Sequence, residues 1–249
     1  MVKFNLDRKA SRVRVFEIGR VFQRDSLIQD SLQTVKGFAQ PMHVAGMAYG
    51  PAQTLSWNAD RASVDFYDVK ADVAALFAGQ PLDFVAAEHP ALHPGRTARI
   101  ACNGLPVGWL GELHPRWRQQ WDLPQAPVVF ELSLDAVLTH AVPVAKAVPR
   151  LQAVERDLAI VVDELVSHSA LMQALWSAPM DALLQDALLF DVYRPQKPGG
   201  SVAMGEKSLA VRVVLQSKDD VSLTDAQIEA AVQHILAHLS KQLNAKLRT

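Results

Sequence analysis

The sequence predicts an α+β chain of two modules, a strand-rich first part over residues 1–143 and a second part over 148–249. Three observations carry this reading. First, 249 residues exceed the roughly 100–200 of a usual domain. Second, the stretch His140–Pro149 (HAVPVAKAVP) holds two prolines in its VPVAKAVP run and neither helical nor strand period, as a linker does. Third, strands dominate the first part, whereas the second is more regular, with strand and helix patterns in succession.

Taken in order, Val13, Val15, Phe16, Ile18, Val21 and Phe22 form an extended run interrupted at Gly19-Arg20, and Met42–Tyr49 forms a second apolar strand stopped by Gly50-Pro51. Asp65–Phe77 changes to helical period, with Phe66, Val69, Val73 and Leu76/Phe77 on one face. Asp65 and Asp68 suit the positive end of its dipole, and Gly79 stands where the helix should stop. Strands at Ala98–Cys102 and Val107–Leu110 flank Asn103-Gly104, a hairpin signal, and Val128–Leu132 is another strand.

In the second part, Asp157–Val162 reads as a buried strand, and Ser167 opens a helix over His168–Ser177 with Leu171, Leu175 and Trp176 inward. Ala187–Tyr193 is a strand followed by the Pro/Gly-rich loop Pro195–Gly205. Lys207–Gln216 alternates, with Leu209, Val211, Val213 and Leu215 facing one way and Ser208, Ala210 and Arg212 the other. Thr224 and Gln227 make a capping box for a helix that buries Ile228, Val232, Ile235, Leu236, Leu239 and Leu243. With a closing strand in Ala245–Thr249, the order becomes βαββαβ, a ferredoxin-like arrangement.

Composition narrows the chemistry. Hydrophobic residues are 49% and charged residues 20%, a globular balance. Lys and Arg number 25 against 26 Asp and Glu, for a net charge of −1, and from Val148 onward they number 10 against 12. No global positive field exists, so any nucleic-acid contact must be local. A single cysteine, Cys102, excludes an internal disulfide and a multi-cysteine metal site, and lies in an apolar strand as a structural thiol. No apolar run approaches the ~20 residues that span a bilayer, and the N-terminus carries no signal peptide, so a soluble, cytoplasmic protein is expected.

No catalytic or metal-binding constellation emerges from spacing alone. His89 and His93 are four apart, but Pro90 and Pro94-Gly95 oppose a helix and no third ligand follows. Asp219-Asp220 sits in a turn before the last helix. Phosphate-binding glycine loops and nucleophile elbows are missing from the sequence. One grouping remains: Phe190-Asp191-Val192-Tyr193-Arg194 at a strand end, with Ser208 beside it if the neighbouring strands pair. An aromatic ring beside hydrogen-bonding groups suits an unstacked base. Its plainer alternative is a core-facing Phe190 with Tyr193 capping the sheet.

Four segments, ERDLAIVVDE (Glu155–Glu164), LFDVYR (Leu189–Arg194), EKSLAVRVVLQ (Glu206–Gln216) and LTDAQI (Leu223–Ile228), resemble in order a known domain. It is the ferredoxin-fold anticodon-binding domain that ends the beta subunit of bacterial phenylalanyl-tRNA synthetase. RKASRVRVFEIGRVF (Arg8–Phe22), DFYDVKADV (Asp65–Val73), HPALHPGRTARI (His89–Ile100) and VGWLGELHP (Val107–Pro115) resemble that subunit's synthetase-like, antiparallel-sheet module.

The resemblance implies a fragment about one-third of that subunit, with Met1 inside the synthetase-like module and apolar residues such as Phe4, Val15 and Phe16 left uncovered. It implies a module without ATP or amino-acid residues of its own, ATP and magnesium being used by an alpha2-beta2 assembly through its alpha subunit. It implies recognition of the tRNA(Phe) anticodon, with the first base stacked on Tyr193 and hydrogen bonds from Asp191 and Ser208, and with Arg194 beside them. The loop from Arg194 to Gly200 departs from the family pattern in being longer and more basic. Two rivals remain: a ferredoxin-like regulatory module, disfavoured by the acidic, glycine-free connection Asp163–Ser167, and a purely structural module.

Overall fold

A computed structural model describes residues 1–58, 62–139, 145, 151–179, 183–197, 200–217 and 222–248. Asp219-Asp220 and nearly all of the predicted linker lie outside the described residues. The chain divides into two compact units, Met1–Pro143 and Val144–Thr249.

The first unit begins with helix α1 (Val2–Leu6), strand β1 (Val13–Arg20) and a small ribbon of β2 (Gln23–Arg24) and β3 (Phe38–Ala39). Then come β4 (Met42–Tyr49), α2 (Phe66–Leu76), β5 (Leu82–Ala86), β6 (Leu92–Cys102), β7 (Leu105–Leu113), α3 (Pro115–Gln120), β8 (Val128–Ser133) and α4 (Leu134–Leu138). Six strands form one antiparallel sheet in the order β1-β4-β8-β7-β6-β5. β1 includes Gly19 and Arg20, paired with His43 and Met42, but ends there, so Val21 and Phe22 of the expected run lie outside it. Asn103 and Gly104 have φ of 51° and 78°, both positive as a two-residue hairpin turn requires, and join Cys102 to Leu105.

Helix α2 starts where its caps demand. The Asp65 carboxylate accepts from the Tyr67 and Asp68 amides, and the Asp68 carboxylate accepts from the Asp65 amide. Val69, Val73 and Phe77 are thereby directed onto Val44, Ile100, Leu110 and Leu132 of the sheet, forming a buried core.

The second unit contains β9 (Val154–Asp163), α5 (His168–Trp176), β10 (Leu184–Tyr193), β11 (Glu206–Leu215), α6 (Asp225–Leu243) and β12 (Lys246–Leu247). Its sheet is antiparallel in the order β10-β11-β9-β12, the ferredoxin-like arrangement. Thr224 and Gln227 close the predicted capping box on α6. The core joins Leu158, Ile160 and Val162 of β9 and the alternating Leu209, Val211, Val213 and Leu215 of β11 to both helices. α5 contributes Leu171, Ala174 and Leu175; α6 contributes Ile228, Val232, Ile235 and Leu239.

Trp176 corrects an expectation. It is 53% exposed and does not point inward. The buried stripe of α5 runs through Leu171, Ala174 and Leu175, and a residue five positions after Leu171 lies about 140° around the helix from it.

Candidate nucleic-acid interface

Both helices of the second unit pack on the face of the sheet that carries Leu209, Val211 and Val213. Side chains alternate across a strand, so Ser208, Ala210 and Arg212 occupy the opposite face. Cross-strand pairing places Val161 beside Ser208, Ala159 beside Ala210 and Asp157 beside Arg212. The middle of this face is thus small and apolar, which lets a flat ring lie close to the sheet.

Which face Tyr193 joins is decided by a bulge. Leu189 pairs with Val211 on the core side, but Asp191 pairs with Ala210, leaving Phe190 as an extra residue. A regular ladder would have carried Asp191 and Tyr193 to the core side with Leu189; the inserted residue switches them to the open face, and Val192 falls beside Leu209. Tyr193 then pairs with Ser208. Phe190 is 50% exposed, so the core-facing alternative for this side chain does not hold.

The structure brings Asp191, Tyr193 and Ser208 together on the open face, with Arg194 at its edge, but in unlike environments. Tyr193 is 45% exposed, and the Arg248 guanidinium lies 4.9 Å from its ring centre. β10 and β12 are three strand spacings apart, about 14 Å. The two side chains therefore reach toward each other across β11 and β9. Ser208 is only 3% exposed although this face carries no helix, in contrast to the exposed position expected of it. Among the described residues no group hydrogen-bonds the Ser208 hydroxyl. Asp191 is exposed. Arg194 donates from Nε to Glu164 Oε1 at 2.8 Å, so its charge is already partnered.

A second charged group lies on the same face. Arg212 makes a two-pronged contact with Asp157, at 2.8 and 2.9 Å, and an ion pair with Glu155 at 3.2 Å. The hydrogen bond from Arg212 holds the Asp157 carboxyl below its ordinary value, and Asp157 in turn raises the guanidinium pKa further above its usual range. Arg212 also lies 5.7 Å from the Phe190 ring centre. Spacing could not reveal Arg248 as a neighbour of Tyr193, since 55 positions separate them and only sheet order joins them.

The other candidates serve the fold. Nδ1 of His89 accepts from the Ala91 amide and Nδ1 of His93 from the Gly95 amide, each shaping its own turn. His89 also packs on Trp109 with ring centres 5.0 Å apart. Cys102 is buried and engages Gln80 and Asn103. Among the described residues, no three His, Cys, Asp or Glu side chains converge as a metal site. A cleft of about 370 Å³ in the first unit, lined by Val15, Met47, His89, Trp109, Phe130 and Glu131 among others, holds no lysine or arginine. Among the described residues, no helix is long and apolar enough to cross a membrane.

The family described as phenylalanyl tRNA synthetase beta chain CLM domain matches residues 1–134, and the ferredoxin-fold anticodon binding domain matches 149–248. The phenylalanine–tRNA ligase beta subunit of Ralstonia nicotianae is 47% identical over 251 aligned positions, covering 99% of this chain and 31% of that protein. Those of Cupriavidus pinatubonensis and Bordetella parapertussis are 43% and 45% identical, covering 99% and 100% of this chain and 31% of each protein. The chain thus spans about 31% of the length of these relatives. A solved pyrrolysyl tRNA synthetase from Desulfitobacterium hafniense aligns at a TM-score of 0.37 and 13% identity, covering 55% of this chain and 44% of that one. With two family matches in consecutive order over an α+β fold of the corresponding kind, this chain belongs to the phenylalanyl-tRNA synthetase beta-chain family.

Proposed function

We propose that residues 148–249 bind the anticodon of tRNA(Phe) on the open face of the four-stranded sheet. The observation that carries this reading is the bulge at Phe190, which turns Tyr193 and Asp191 outward beside Ser208 over the small floor of Ala159 and Ala210. The Tyr193 ring stacks the anticodon's first base, because stacking needs only an accessible π-face. Asp191 supplies an acceptor that selects among base edges. The Ser208 hydroxyl, without a partner among the described residues, supplies the second hydrogen bond.

Residues 1–143 form a non-catalytic module that joins the synthetase alpha subunit in an alpha2-beta2 assembly, working in the cytoplasm. The assembly uses ATP and magnesium to activate phenylalanine and transfer it to tRNA; this chain contributes binding and scaffolding. The test is binding of tRNA bearing the phenylalanine anticodon against the same tRNA with the anticodon scrambled. A clear preference for the first supports the reading, and equal affinity overturns it.

A further inference from the structure

The cations of the second unit differ in what they already hold. Arg194 is bound to Glu164, Arg212 to Asp157 and Glu155, and Lys246 is paired with Glu206 at 3.5 Å. Lys207 is buried and donates to the Glu164 carbonyl at 2.7 Å. Arg248 is exposed and, among the described residues, has no carboxylate partner. It is nevertheless held in place. Its amide donates to the Ala159 carbonyl at 2.8 Å, extending the pairing of β12 with β9, and its Nε donates to Ser201 Oγ at 3.2 Å. Its guanidinium rests on the Tyr193 ring.

We infer that Arg248 is the phosphate-binding cation of the RNA site, a role that rests on the proposed reading of this face. A base stacked on a ring brings its own backbone phosphate within the reach of a long side chain beside that ring. A guanidinium suits that phosphate because its fork matches two oxygens at once. An arginine already neutralised by a carboxylate must give up that partner before it can serve; Arg248 has none to give up. Ser201 holds Nε and leaves the two terminal nitrogens to donate outward. Arg248 thus contributes affinity without base preference, and Asp191 contributes preference.

The test measures affinity of the full chain across a salt series for two RNA hairpins, one with the phenylalanine anticodon in its loop and one scrambled. Arg248→Gln keeps a donor near Ser201 but removes the charge. It should weaken the matched hairpin about ten-fold and lower the slope of log K on log salt by about 0.7, one phosphate contact on a single strand. Arg248→Lys should restore the slope, because the charge returns, which separates loss of charge from loss of structure. Lys241→Gln, an exposed cation on α6 behind the opposite face of the sheet, should leave the slope unchanged. If Arg248→Gln keeps the parent slope while Tyr193→Ala still loses binding, the role of Arg248 is overturned and the reading of the face stands. If Tyr193→Ala binds as the parent does, the reading of the face fails and this inference with it.

Discussion

Replacing Tyr193 with alanine removes the ring on which the first anticodon base stacks, and the structure sets how large the side effects are. Tyr193 is 45% exposed, so roughly half of its side chain is covered, chiefly by the sheet and by Arg248. A tyrosine that buries about 100 Å² loses about 2.5 kcal/mol at most on truncation, at about 25 cal/mol per Å². A domain at the low end of normal stability, about 5 kcal/mol, then retains about 2.5 kcal/mol and stays about 98% folded. Unfolding alone therefore lowers RNA affinity by only about 2%. Loss of one base–aromatic stack costs about 1–3 kcal/mol, or roughly 5- to 150-fold. The two effects are too different in size to be confused. Tyr193→Phe keeps the ring and should retain affinity within about two-fold, since the hydroxyl is not what stacks. Melting temperature and tRNA affinity measured on the same variants give the answer. A folded Tyr193→Ala chain with unchanged affinity would refute the assignment of stacking to this ring.

Asp191→Ala should relax discrimination at the anticodon's first base by roughly 1–2 kcal/mol, read as the ratio of affinities for tRNAs differing only there, with little change in melting temperature because the side chain is exposed. Asp157 has a folded pKa depressed below 3.8 by Arg212, so its stabilising contribution is present above that pH and fades as pH falls through the folded value. Urea midpoints of the parent and Asp157→Asn should accordingly differ at pH 7 and converge in acid; a constant gap would contradict the pairing. Phe16 is 74% exposed on edge strand β1, next to exposed Val15 and Ile18, so isolated residues 1–143 should self-associate in light scattering, and Phe16→Lys should reduce it. Purified chain should show no phenylalanine-dependent exchange between ATP and pyrophosphate, and exchange that persists without alpha subunit would overturn its non-catalytic role.

Much of the architecture was legible in the residues themselves. The apolar period of Asp65–Phe77 and the carboxylates at Asp65 and Asp68 marked α2, because capping is satisfied by neighbours three residues apart. Asn103-Gly104 marked a hairpin because few other pairs accept positive φ at both positions. The alternation from Leu209 to Leu215 marked a strand with one buried face, and Thr224 and Gln227 marked the start of α6. These signals are local, and local chemistry is what a sequence displays. The strand Leu82–Ala86 went unread because its five residues carry no strong pattern and are fixed by pairing with β6.

The site depended on more distant relations. The residues Asp191, Tyr193 and Ser208 were identifiable from their resemblance to a family, yet their facing was not, because one bulge at Phe190 reverses the side on which every later residue of β10 lies. Burial of Ser208, engagement of Arg194 by Glu164 and the approach of Arg248 to Tyr193 all follow from strand order and loop closure. A sequence by itself determines which segments can become strands and helices, through period and caps. Only the tertiary structure decides which charges are already neutralised and which remain for RNA, because an ion pair depends on distance in space and residues remote in the chain supply the partners.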